Sequence, residues 1–71
     1  MTKLTKTQYE INSELHERSG VEMVTTIHLG GQRPNWALGS WHDIQDEHAE
    51  TRLRNAVIDL QRDFDMSLAA Y

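Results

Sequence analysis

The chain has no cysteine, and that absence removes disulfide bridges and thiolate zinc sites from the ways a short protein can hold itself together. Long apolar runs are missing too. Behind the two lysines of the amino-terminal "MTKLTKTQYE" stands no hydrophobic segment, so neither a signal peptide nor a membrane span is expected, and the reading is a soluble cytoplasmic protein. Proline occurs once, at Pro34, in the stretch "GGQRPNWALGSW" that also holds three of the four glycines and both tryptophans. A surplus of positive charge is absent as well. Residues 1 to 40 carry four Lys/Arg against four Glu, and residues 41 to 71 three Arg against seven Asp/Glu, which gives the formal net charge of -4. An acidic carboxy-terminal half repels phosphate, so nucleic acid is not the first partner to expect.

At 71 residues there is room for one small domain, expected to span 1 to 71 with flexible tails at 1 to 6 and 67 to 71. Chains this short bury about 60% of the surface they expose when unfolded, and their cores rarely supply more than about 3 to 5 kcal/mol. With disulfides excluded, a partner subunit is the favoured support.

The clearest periodic segment is "DEHAETRLRNAVIDLQRDF", where Ala49, Leu53, Ala56, Val57, Leu60 and Phe64 recur at three- and four-residue spacing and make one apolar stripe. It predicts an amphipathic helix, started by a cap at Asp43 or Asp46 and supported by a Glu50 to Arg54 pair. Ile58 lies off the stripe and is left to widen the buried face or to touch another chain. "VEMVTTIHL" is rich in β-branched residues and predicts a strand with Val21, Met23, Thr25, Ile27 and Leu29 on its inner face.

The amino-terminal third supports two readings. "TQYE" has capping-box spacing, and Gly20 would close a helix carrying Glu14 and Arg18. Against this, Thr7, Tyr9, Ile11, Ser13 and Leu15 alternate with Gln8, Glu10, Asn12 and Glu14 at the period of a half-buried strand. A three-residue loop at Arg18, Ser19 and Gly20 would pair Leu15 with Met23, Ile11 with Ile27 and Tyr9 with Leu29, so that both apolar faces coincide. With "NWALGSW" as a third strand, the expected fold is α+β: a three-stranded antiparallel meander with one carboxy-terminal helix on one face, in the order β-β-β-α, with α-β-β-α as the alternative. In the meander Trp36 and Leu38 face the helix, and Trp41 falls on the opposite face near Val24.

No catalytic or cofactor motif is legible. Ser40, His42 and Asp43 lie together in sequence, yet triad members take their geometry from separate elements, and helix capping explains them. His42 and His48 stand six apart, not the three or four that ligands on one helix face need, so neither a metal nor another cofactor is expected. "GGQRPNW" lacks the Lys-Ser/Thr of a phosphate loop.

The expectation is a non-catalytic protein-protein interaction module, self-associating or part of a larger assembly, with nucleic-acid binding through the sheet face and basic tails as the alternative. The candidate partner-binding residues are Val24, Thr26, His28, Arg33, Ala37 and Trp41, joined by Gly39, on the side of the sheet that the helix would leave uncovered.

Overall fold

The computed structural model describes residues 4–42 and 47–67. The elements run β1 (Leu4–Thr7), α1 (Gln8–Ser19), β2 (Met23–His28), β3 (Trp36–His42), α2 (Ala49–Asp63) and β4 (Phe64–Ser67). They form two separate two-stranded sheets, β1 parallel to β4 and β2 antiparallel to β3. The fold is therefore mixed α+β, but the three-stranded meander is not there. The helix-first alternative holds for the central elements, with the short β1–β4 pair added around them.

Residues 8 to 19 are helical because both ends of the segment are chemically closed. Thr7 is the N-cap: Glu10 N–H donates to its Oγ1 at 3.2 Å, and Thr7 N–H donates to Glu10 Oε1 at 2.9 Å, a reciprocal capping box. At the other end Gly20 takes the left-handed conformation, φ 77°, and returns its N–H to His16 O at 2.8 Å. The two-residue alternation that suggests a strand is incidental. Ile11, Leu15 and Ser19, four apart, are the buried face, whereas Tyr9 is 76% exposed. The hairpin register built on Arg18, Ser19 and Gly20 falls with the strand.

Ser19 shows how the α1 terminus is tied down. Its hydroxyl donates to Leu15 O at 2.6 Å and accepts from Val21 N–H at 3.0 Å, while Arg52 Nε donates to Ser19 O at 3.0 Å. The guanidinium thus sits at the negative end of α1 and fastens α2 to it. α2 buries Ala49, Leu53, Ala56, Val57 and Leu60, as the stripe predicts, and leaves Ile58 60% exposed. Phe64 is not the last turn of that stripe. It is half-buried and opens β4, with extended backbone angles. The proposed caps Asp43 and Asp46 lie outside the described residues.

The expected tails are in part strands. Leu4 to Thr7 pair residue by residue with Phe64 to Ser67, and Met66 is only 4% exposed. The far edge of β4 is closed by side chains from the end of the β2–β3 connection and the start of β3: Asn35 Oδ1 accepts Met66 N–H at 2.8 Å, Asn35 Nδ2 donates to Met66 O at 3.0 Å, and Trp36 Nε1 donates to Phe64 O at 3.1 Å. One amide side chain thus stands in for a missing strand. The core is Ile11, Leu15, Val21, Trp36, Leu53, Leu60 and Met66 with the small residues of α2, and Trp36 is fully buried at its centre.

Candidate interaction surface

The hairpin pairs His28 with Trp36, Ile27 with Ala37 and Thr26 with Leu38. The register then shifts, so that Thr25 meets Ser40 and Val24 meets Trp41. Gly39 is the extra residue, a β-bulge. Its backbone lies so close to β2 that a Cβ would come within 3.1 Å of Ile27 Cγ2 and 3.2 Å of Thr25 O, which is why glycine stands there. The Thr25 hydroxyl fastens the bulge: it lies 2.6 Å from Ser40 Oγ and accepts Ser40 N–H at 3.1 Å.

The bulge reverses side-chain parity along β3. Without it Trp36, Leu38 and Ser40 would share a face and Trp41 would point away from them. With it Trp36, Leu38 and Trp41 all face the helices, opposite His28, Thr26 and Val24. Trp41 does sit beside Val24, as the sequence suggests, but both pack against the core and not on the uncovered side.

The parity of β2 is likewise the reverse of the expected one. Thr26 is 3% exposed, and its Oγ1 donates to Asn12 Oδ1 at 2.8 Å. Met23 and Ile27, expected inside, are 64% and 49% exposed. Of the candidate residues, then, Val24, Thr26, His28 and Trp41 line the inner side of the hairpin. Ala37 is on the outer side and Arg33 is exposed in the connecting loop. His28 is taken up locally, its Nδ1 accepting Gly30 N–H at 3.0 Å. Gly30, with φ 65°, makes the turn out of β2, whereas Gly31 has no positive φ.

The outer side of the hairpin carries Met23, Thr25, Ile27, Ala37, Ser40 and His42, with no Lys or Arg among them. A depression of about 130 Å³ between Met23, Thr25, Ser40, Trp41 and His42 marks one end, well below the roughly 300 Å³ at which ligand pockets begin. Ser40 Oγ is engaged with Thr25, and no histidine hydrogen-bonds to it among the described residues. Among the described residues, too, no three His, Asp or Glu side chains converge.

A second groove, of about 200 Å³, runs along the outer edge of β3 between Leu38, Arg54, Val57 and Ile58. In an antiparallel pair the backbone groups of alternate residues point away from the partner strand. Thr26 O does so on β2 and receives Gln8 Nε2 at 2.6 Å, and Trp36 O does so on β3 and receives Gln61 Nε2 at 2.8 Å. By the same alternation Leu38, opposite Thr26, turns its N–H and C=O to the outer edge of β3.

A third groove, of about 230 Å³, lies over α1 between Lys6, Tyr9, Glu10, Ser13, Glu14 and Glu17. Its carboxylates are partly taken. Glu14 pairs with Arg18 at 3.3 Å, and Glu10 is held by the capping box. The hydrogen bonds from the Thr7 backbone and hydroxyl, helped by the charge of Lys6, hold the Glu10 carboxyl below its ordinary range.

Comparison of the chain with protein-family models, with curated proteins and with solved structures gave no match. The sequence signals for what was missed are specific. A lone glycine inside a strand pattern marks a bulge, and "TQYE" followed by Gly20 marks a helix closed at both ends.

Proposed function

We propose that this protein is a small non-catalytic protein-protein interaction module that self-associates or serves as a subunit of a larger assembly. The observation that carries this reading is the inversion of β2. The strand buries Thr26 and exposes Met23 and Ile27, the opposite of what an isolated chain gains from. A two-stranded hairpin is marginal by itself, and this one leaves Met23 and Ile27 on its outer face without cover. The depression on this face is small, about 130 Å³, and its Ser40 hydroxyl is engaged with Thr25, which suits contact with a partner better than enclosure of a small molecule.

Nucleic-acid binding draws no such support, because the uncovered face carries no Lys or Arg. Sedimentation over a wide concentration range, with melting curves at each concentration, tests the reading. A mass above 8.2 kDa and a melting temperature that rises with concentration are expected. A single species of monomer mass at every concentration, with no shift in melting, would remove the self-association that the proposal rests on.

A further inference from the structure

We infer that His28 makes the turn between β2 and β3 sensitive to pH: protonation of its ring opens the turn at Gly30 and loosens the hold of Asn35 on β4. The inference is independent of the self-association reading and concerns the single chain.

The ring stands between two N–H groups. Gly30 N–H donates to His28 Nδ1 at 3.0 Å, and Asn35 Nδ2 lies 3.4 Å from His28 Nε2. Asn35 is fixed in orientation, because its Oδ1 accepts Met66 N–H at 2.8 Å and its Nδ2 donates to Met66 O at 3.0 Å. A neutral imidazole accepts at one nitrogen and carries its proton on the other. The Gly30 bond therefore sets the proton on Nε2, which faces the Asn35 amino group without bonding to it. A second proton finds no acceptor. Placed on Nδ1, it removes the partner of Gly30 N–H, and the positive charge it brings stands against the Asn35 amino group on the other side.

No neighbouring carboxylate offsets that charge. Among the described residues the two N–H groups are the ring's polar contacts, and no Asp or Glu forms an ion pair with it. Of the elements packed against β2, β3 carries only His42, at the far end of the pairing from His28. On α1, Glu10 is held by Thr7, Glu14 is paired with Arg18, and Glu17 bonds to neither nitrogen of the ring. The connection adds Arg33, and β4 adds Asp65. His16, also on α1, is the contrast: its Nδ1 lies 2.7 Å from Val21 O and donates there, a bond that protonation leaves in place.

The choice of residue points the same way. A side chain that accepts the N–H two positions ahead is the geometry in which Asn and Asp ordinarily set turns. Asn would hold such a turn at every pH, whereas histidine changes its charge between about pH 5 and 8. The Gly30 bond is thus present while the ring is neutral and is lost as pH falls through the imidazole range. Asn35 carries the change onward, since the amino group that faces Nε2 is the one that donates to Met66 O.

Nuclear magnetic resonance on the whole chain, from about pH 8 to about pH 5.5 so that carboxylates stay largely ionised, tests this in the wild type and in His28→Asn, whose Oδ1 accepts but cannot be protonated. At the upper end the ring nitrogen shifts should show Nδ1 bare and Nε2 protonated. Toward the lower end the protection of the Met66 amide against exchange should fall about three- to tenfold relative to Leu53, as expected for one hydrogen bond lost. In His28→Asn that fall should be absent, whatever the variant's absolute stability. A proton on Nδ1 at about pH 8, Met66 protection that stays constant while the wild-type ring titrates, or the same fall in His28→Asn overturns the inference. Should His28→Asn fail to fold, the two wild-type readings decide it.

Discussion

Replacing Asn35 by Ala tests whether one side chain closes the second sheet. Asn35 accepts Met66 N–H at 2.8 Å and donates to Met66 O at 3.0 Å, and Met66 is only 4% exposed. Alanine leaves both backbone groups facing a space where water enters poorly. Each buried group left unpaired costs about 1 to 3 kcal/mol, so allowing for partial rehydration the loss should be about 2 to 4 kcal/mol. That is most of the roughly 3 to 5 kcal/mol that a core of this size supplies. The melting temperature should fall by at least about 10 °C. Asn35→Asp should not rescue it: the carboxylate can still accept Met66 N–H but faces Met66 O with no donor. Urea unfolding monitored by far-ultraviolet circular dichroism gives the stability, and amide exchange gives the location, since Met66 protection should fall more than that of Leu53 or Leu60. A loss below about 0.5 kcal/mol, within the range of ordinary surface substitutions, or a Met66 amide already unprotected in the wild type, would refute the idea that the amide replaces a strand.

Thr7→Ala removes the N-cap of α1 and should cost about 1 kcal/mol at neutral pH, read from urea unfolding. The Glu10 carboxyl of the same capping box is held below its ordinary range, so its contribution is present above the unfolded-state carboxylate range and is lost as pH falls through the lowered folded value. Wild type and Glu10→Gln should accordingly converge in stability at acid pH, and a constant gap between them down to low pH would count against the assignment. Gly39→Val forces a side chain into a site where even Cβ comes within 3.1 Å of Ile27 and 3.2 Å of a backbone carbonyl, so it should destabilise by about 1 to 3 kcal/mol and disturb the Trp41 fluorescence. Met23→Lys/Ile27→Lys should leave the stability of the isolated monomer within about 0.5 kcal/mol, measured at high dilution, because neither side chain contributes to its core.

The parts of this fold legible in the sequence are those set by a single element's own periodicity. The α2 stripe and the exposed Ile58 follow from three- and four-residue spacing, and α2 buries the residues that spacing selects from Ala49 to Leu60. Trp36 in the core and a strand over residues 23 to 28 follow in the same way. Two features were hidden because each is settled by groups outside the pattern that suggests it. Residues 8 to 19 read as a strand when only alternation is counted, yet hydrogen bonds at Thr7, Glu10 and Gly20 decide for a helix whose inner face is only Ile11, Leu15 and Ser19. The β1–β4 pair was hidden for a related reason: its two strands come from opposite ends of the chain, and four-residue strands give periodicity nothing to act on.

The uncovered face of the hairpin differs from the expected one through a compound of parity errors. In β2 the more apolar set, Met23 and Ile27, was assigned to the interior on the ordinary rule that apolar faces turn inward. The chain instead satisfies Thr26 through Asn12 and Gln8 on α1, residues whose polarity reads as solvent-facing only while α1 is taken for a strand. In β3 one bulged glycine moves Trp41 across the sheet, so a patch drawn by counting residues collects Val24, Thr26, His28 and Trp41 from the inner side and Ala37 from the outer. These errors share one root. Once α1 is a helix it covers the Thr26 side of β2, Asn12 and Gln8 become the partners that allow a polar residue to be buried, and the apolar row of Met23 and Ile27 has nothing in its own chain to lie against. Exposure of that row follows from the capping chemistry at Thr7 and Gly20, two residues that touch no part of the surface they leave open.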